Sequence, residues 1–161
     1  MMMNETKQVN KALPFKNVLG FTAMPNEVLK IYTGHPKFDG KCERVYLHLL
    51  DKYNDSFKYA FPTQDLIADE TFLSRQSVIR ALAILEELEL IQAIYNTDYG
   101  NNIYVFKKPI ANREEFEQRF PEAVEYRLKF EESRAKDKVK RHERLADYRA
   151  RVQEIFESAN S

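Results

Sequence analysis

Ser74, Arg75, Gln76 and Ser77 stand together, and Arg80 follows one helical turn later. The chemistry these side chains offer is recognition by hydrogen bonds. A glutamine amide can pair with adenine at two points, and an arginine can pair with guanine or clamp a phosphate. A serine hydroxyl and the free N–H groups of a helix start suit a phosphate oxygen. Each residue type also has an ordinary role. Ser74, like Thr63, would cap a helix in any protein, and arginine or glutamine often lines a solvated surface. What singles them out is where they fall relative to the helices.

Bond-making chemistry finds less support. Gly34-His35-Pro36-Lys37-Phe38-Asp39-Gly40-Lys41-Cys42 glances at a phosphate-binding loop. It has one residue too many between the glycines, Cys42 where a hydroxyl should hold magnesium, and no strand leading in. Zinc needs clustered Cys and His, but Cys42, His35, His48 and His142 are spread along the sequence. The closely paired histidines of nicking enzymes are missing too, and no spacing sets two carboxylates around a substrate. The expectation is a non-enzyme with no metal site and no cofactor.

The 161 residues are 43% apolar, with nine Tyr and eleven Phe, which suffices for one core. No apolar run approaches the roughly 18 residues of a membrane-spanning helix. The polar start Met-Met-Met-Asn-Glu-Thr-Lys-Gln lacks the apolar stretch of a signal peptide. A single cysteine excludes an internal disulfide, so a cytoplasmic protein with no membrane contact is expected. Lys plus Arg number 25 and Asp plus Glu 25. That neutrality is unusual for a polyanion binder, although only charges near phosphates release counterions.

Residues 1–18 show no periodicity and read as a flexible arm. Met24 to Tyr32 reads as a short helix with Pro25 in its first turn. Asp39 is a good cap for a second helix, whose apolar face is Cys42, Val45, Tyr46, Leu49 and Tyr53. Thr63 opens a third of barely two turns. After the short connection Glu70-Thr71-Phe72-Leu73, Ser74 caps a fourth, Arg75 to about Leu88, with Val78, Ala81, Leu82, Leu85 and Leu88 on one face. A short helix, a tight turn and a longer helix with a polar start form the helix-turn-helix pattern. Leu90 to Tyr95 and Asn102 to Lys107 then read as a hairpin, joined by turn formers. The fold class expected is mainly α with a small β-hairpin: a winged helix-turn-helix over 19–110, followed by a charged helical tail over 111–161.

In that fold the start of the fourth helix enters the major groove. Ser74, Arg75, Gln76, Ser77 and Arg80 become the reading end. Thr63 and Gln64 become backbone contacts, Tyr99, Asn101 and Asn102 lie at the wing tip, and Lys107 and Lys108 lie at its base. The tail carries two apolar patches. Phe116, Phe120, Val124 and Leu128 are placed to fold back on the domain. Leu145, Tyr148, Val152 and Ile155 alternate by three and four, as seams between helices do. The second patch is the candidate for self-association or for a partner protein. Residues 133–151 hold eight basic and three acidic side chains.

The string FPTQDLIADETFLSRQSVIRALAILEELELI, residues 61–91, resembles the helix-turn-helix core of plasmid and phage replication initiators and replisome organisers. The preceding MPNEVLKIY, the helix around Val45 to Leu50 and the closing Asn102-Ile103-Tyr104-Val105 fit the same pattern, over about 90 residues in all. The resemblance implies sequence-specific binding of double-stranded DNA in replication initiation, with a second copy or a replication protein as partner of the tail. Transcription regulators share this core, so control of transcription is one alternative. A protein-interaction module without DNA binding is the other. One position departs from the pattern: the family usually has glycine where Glu89 stands, which lets the helix end in a left-handed turn. Glu89 therefore predicts a helix that runs on or ends differently.

Overall fold

The computed structural model describes residues 13–161, so most of the arm expected over 1–18 lies outside the described residues. From Leu13 to Met24 the chain has no regular structure. Helix α1, Asn26–Lys30, is a single turn that tightens into a 3-10 turn at Tyr32–Gly34. Helix α2, Gly40–Asp51, starts where Asp39 accepts the N–H groups of Lys41 and Cys42, each at 3.0 Å. Those bonds hold the Asp39 carboxyl below its ordinary range. Helix α3, Gln64–Thr71, is capped by Thr63, and α4, Arg75–Glu87, by Ser74. The turn between them uses Phe72 in the left-handed region (φ 57°), and Arg44 from α2 donates to the Thr71 carbonyl at 3.0 Å. That bond satisfies a carbonyl orphaned by the helix end.

Strands β1, Ile91–Asn96, and β2, Asn101–Phe106, pair antiparallel with Ile91 opposite Phe106 and Asn96 opposite Asn101. The hairpin is stitched to the body through Ala60, which exchanges both backbone bonds with Tyr104, at 2.7 and 3.0 Å. Helices α5, Arg113–Arg119, and α6, Glu122–Ala159, complete the chain. The architecture is a winged helix-turn-helix with a long C-terminal helix. No helix among the described residues is long and apolar enough to cross a membrane.

One core draws on nearly every element. Val45, Tyr46 and Leu49 of α2 meet Ile67 of α3, Val78, Ala81, Leu82 and Leu85 of α4, and Tyr104 of β2. The packed unit extends past the boundary expected at 110. Phe116, Phe120 and Ala123 are buried in the same core, because Phe116 stands edge-on to Tyr32 with ring centroids 4.8 Å apart. The Tyr32 hydroxyl also accepts the Ile110 N–H at 2.9 Å. At the start of α6, buried His35 takes the Lys37 N–H on Nδ1 and lies 3.0 Å from the Glu122 carboxylate through Nε2.

Glu89 departs from expectation. Helix α4 stops at Glu87, and Glu89 itself takes the left-handed conformation, φ 59°. The N–H of Leu90 then reaches the Leu85 carbonyl at 3.0 Å, so the chain turns out of the helix as it would with glycine. The first wing strand begins at Ile91, one residue after the Leu90 that the pattern suggested.

Candidate nucleic-acid interface

Helix α4 buries Val78, Ala81, Leu82 and Leu85, which turns Arg75, Gln76, Ile79, Arg80 and Ala83 outward. These positions recur at three and four residues, so they share one face. Ser74 accepts the Ser77 N–H at 3.1 Å, and the two hydroxyls lie 3.0 Å apart. The cap therefore occupies the Ser77 N–H that the sequence offered to a phosphate. The N–H groups of Arg75 and Gln76, at the first two helical positions, still point out of the helix end. Thr63 spends its hydroxyl in the same way, accepting the Leu66 N–H at 3.1 Å.

Five of the expected residues line a single cleft of about 290 Å³: Thr63, Gln64, Arg75, Asn101 and Asn102. Backbone and side-chain bonds bring the wing to this place. Tyr104 pairs through its backbone with Ala60, and the Asn101 amide donates to the Phe61 carbonyl at 3.4 Å. Burial pushes the Tyr104 hydroxyl above its ordinary range. Tyr99 stands at the hairpin tip, 83% exposed.

Lys107 is not part of this constellation. Its N–H bonds the Leu90 carbonyl at 3.0 Å, and its charge acts on Glu89. That places it by the C-terminal end of α4, about 20 Å along the helix from the cap. Lys108 is its exposed neighbour. The hairpin register is the reason: Phe106 pairs with Ile91, so residues after it return to the body as the tip moves away.

Three residues of the face escaped sequence reasoning. Ile79 is 45% exposed on the outward side of α4, where an apolar group can meet a thymine methyl. Its signal was an isoleucine between Gln76 and Arg80 on an otherwise polar stripe. Tyr95 and Asp65 line the cleft, and Asp65 comes within 3.9 Å of Arg75. No local pattern announces that pair, which requires α3 and α4 to meet.

Beside the polar cleft lies a larger one of about 670 Å³, between the segment leading into α3 and the wing. Its wall is an aromatic cluster in which Phe57 stacks on Tyr59 at 5.7 Å and 17°, with Phe61 edge-on to both. The cluster stiffens the approach to Pro62 and Thr63. His48 lies 3.2 Å from Glu70 through Nε2, and burial pushes the Cys42 thiol up to about 11. A thiol so displaced is unreactive.

Compared with known protein families, residues 44–91 match the helix-turn-helix domain. No curated protein and no solved structure matches the chain. The matched stretch holds most of α2, then α3, its turn and α4, and it stops at the first residue of β1. Residues 44–91 are thus similar to a helix-turn-helix domain, and the structure extends that unit by a wing and by a long helix.

Proposed function

We propose that the chain is a sequence-specific binder of double-stranded DNA that acts in replication initiation of a plasmid or phage, in the cytoplasm and without catalysis of its own. The observation that carries the reading is the outward face at the start of α4, with Arg75, Gln76, Ile79 and Arg80 beside a wing-lined polar cleft. In the major groove Gln76 pairs with adenine, Ile79 packs on a thymine methyl, and Arg75 or Arg80 takes guanine or phosphate. Thr63, Gln64, Asn101 and Tyr99 contact the sugar-phosphate backbone and fix the register. The near-neutral charge gives little non-specific attraction, so binding rests on base readout to an unusual degree.

The tail projects from this DNA-bound body and makes the partner contacts. The same face serves transcriptional control equally well, and the resemblance over residues 61–91 favours replication. Binding to fragments of the source genome at near-physiological salt, with sequencing of the recovered DNA, tests the proposal. One enriched repeat at an origin is the expected result. Enrichment at promoters transfers the protein to transcriptional control. No enrichment by a folded protein leaves an interaction module, for which Asp65 beside Arg75 is the motivating feature.

A further inference from the structure

Helix α6 is 38 residues long, which is about 57 Å, yet Ala123 is its only buried residue. Leu145, Tyr148, Ile155 and Phe156 are exposed, and Val152 is half-buried. Leu145 and Val152 take the a positions of a heptad, and Tyr148 and Ile155 the d positions. In that register Arg144 and Arg151 fall at g and Arg149 at e, the positions that flank a seam and select its partner. Every acidic residue of the stretch, Glu143, Asp147, Glu154 and Glu157, falls at c or f on the outer side. Among the described residues, none of the three arginines has an ion-pair partner.

This sorting of charge decides against a second copy. In a parallel pair Arg144 faces Arg149 of the other copy. An antiparallel pair centred on the seam sets Arg149 or Arg151 against its own counterpart. Like charges across such positions are repulsive either way. We infer that residues 144–156 are a docking seam for an amphipathic helix of another protein, with apolar a and d positions and acidic flanks. Burial of the stripe supplies affinity, and the arginines supply the choice of partner. The inference rests on the tail being a partner-contact arm, and it does not depend on which DNA is read.

The test uses the full chain and two synthetic helical peptides of about three heptads. Both carry Leu and Ile at a and d; one has Glu at e and g, the other Lys. The acidic peptide should bind at least about tenfold more tightly than the basic one. R144E/R149E/R151E should reverse that order, and L145S/I155S should abolish binding of both, with helicity unchanged by circular dichroism. In sedimentation the chain alone should be a monomer. Equal binding of the two peptides, or a dimer that L145S/I155S dissolves, overturns the acidic partner while leaving the tail a contact arm. If a monomeric chain binds neither peptide, the contact-arm reading itself fails. Loss of DNA affinity in R144E/R149E/R151E, with no peptide binding by the parent, assigns the arginines to DNA instead.

Discussion

The carboxylate of Glu89, at a left-handed position just past α4, receives the guanidinium of Arg119 from α5, with Nε at 2.9 Å and a second bond from Nη2. One residue thus does two jobs: its backbone turns the chain into the wing, and its side chain ties that turn to the helix which closes the core. The pairing holds the Glu89 carboxyl below its ordinary range. Left-handed backbone costs a residue with a Cβ roughly 1–2 kcal/mol, and glycine avoids that cost. The pair is well exposed, so its return is small.

Glu89→Gly should therefore raise the unfolding midpoint, and Glu89→Ala, which keeps the backbone cost and loses the pair, should lower it. Thermal denaturation of the two variants checks the order. A midpoint for Glu89→Gly below that of the parent would show that the ion pair outweighs the backbone.

The domain should depend on residues beyond 110. Phe116→Ala removes a ring packed on Tyr32 and should cost about 3–5 kcal/mol in denaturant unfolding. Ending the chain at Asn112 should be worse, since Phe120 and Ala123 go as well. Ending it after Ser133 should leave the midpoint close to that of the full chain, because α6 buries nothing past Ala123. An unchanged midpoint for the Asn112 truncation would contradict this packing.

These two cases mark what the sequence could say about the fold. The caps at Asp39, Thr63 and Ser74, the apolar stripes and the turn-rich hairpin are local signals, and each element appeared close to where they put it, although α2 ends at Asp51, short of Tyr53. The core boundary was legible only in part: Phe116 and Phe120 fold back on the domain as their apolar patch suggested, while Leu128 of the same patch stays exposed, and only the meeting with Tyr32 and His35 makes the two rings core. Glu89 misled because propensity disfavours its conformation, while the Leu90-to-Leu85 bond and the buried Leu88 and Leu90 enforce it. The site divided in the same way. Residues named from the start of one helix came out on its open face. Lys107, read as the last strand residue at the base of the wing, sits at that base, which the register sets by the far end of α4 and away from the cleft.

Ile79 should matter to binding and not to folding. Its side chain lies on the open face, so Ile79→Glu should leave the unfolding midpoint within about 0.5 kcal/mol of the parent. The same change should abolish specific DNA binding, since it puts a carboxylate in the groove. Retained binding by a folded Ile79→Glu protein would move the reading face elsewhere.

Stability should fall in acid. Glu70 is held below the ordinary carboxylate value of 4.5 by Lys52, and Glu117 by Arg127. Glu122 is held below it by its own N–H and then by His35. The unfolded chain therefore takes up protons first as pH drops, and each proton favours unfolding. Stability from these groups should be complete above 4.5 and decline as pH falls below it. Glu122→Gln should shallow that decline, as read from denaturant midpoints across pH. A decline of the same steepness in the variant would remove Glu122 from the account.

The central claim is that the start of α4 reads duplex DNA, and the most direct measurement is the affinity of the full chain for its enriched duplex across a salt series. The parent is compared with Gln76→Ala and Arg80→Ala. Arg80→Ala should weaken binding and lower the salt slope by about one. Gln76→Ala should cost about 1–3 kcal/mol and relax the preference at a single base pair. Parent-like affinity, slope and base preference in both variants would contradict the account.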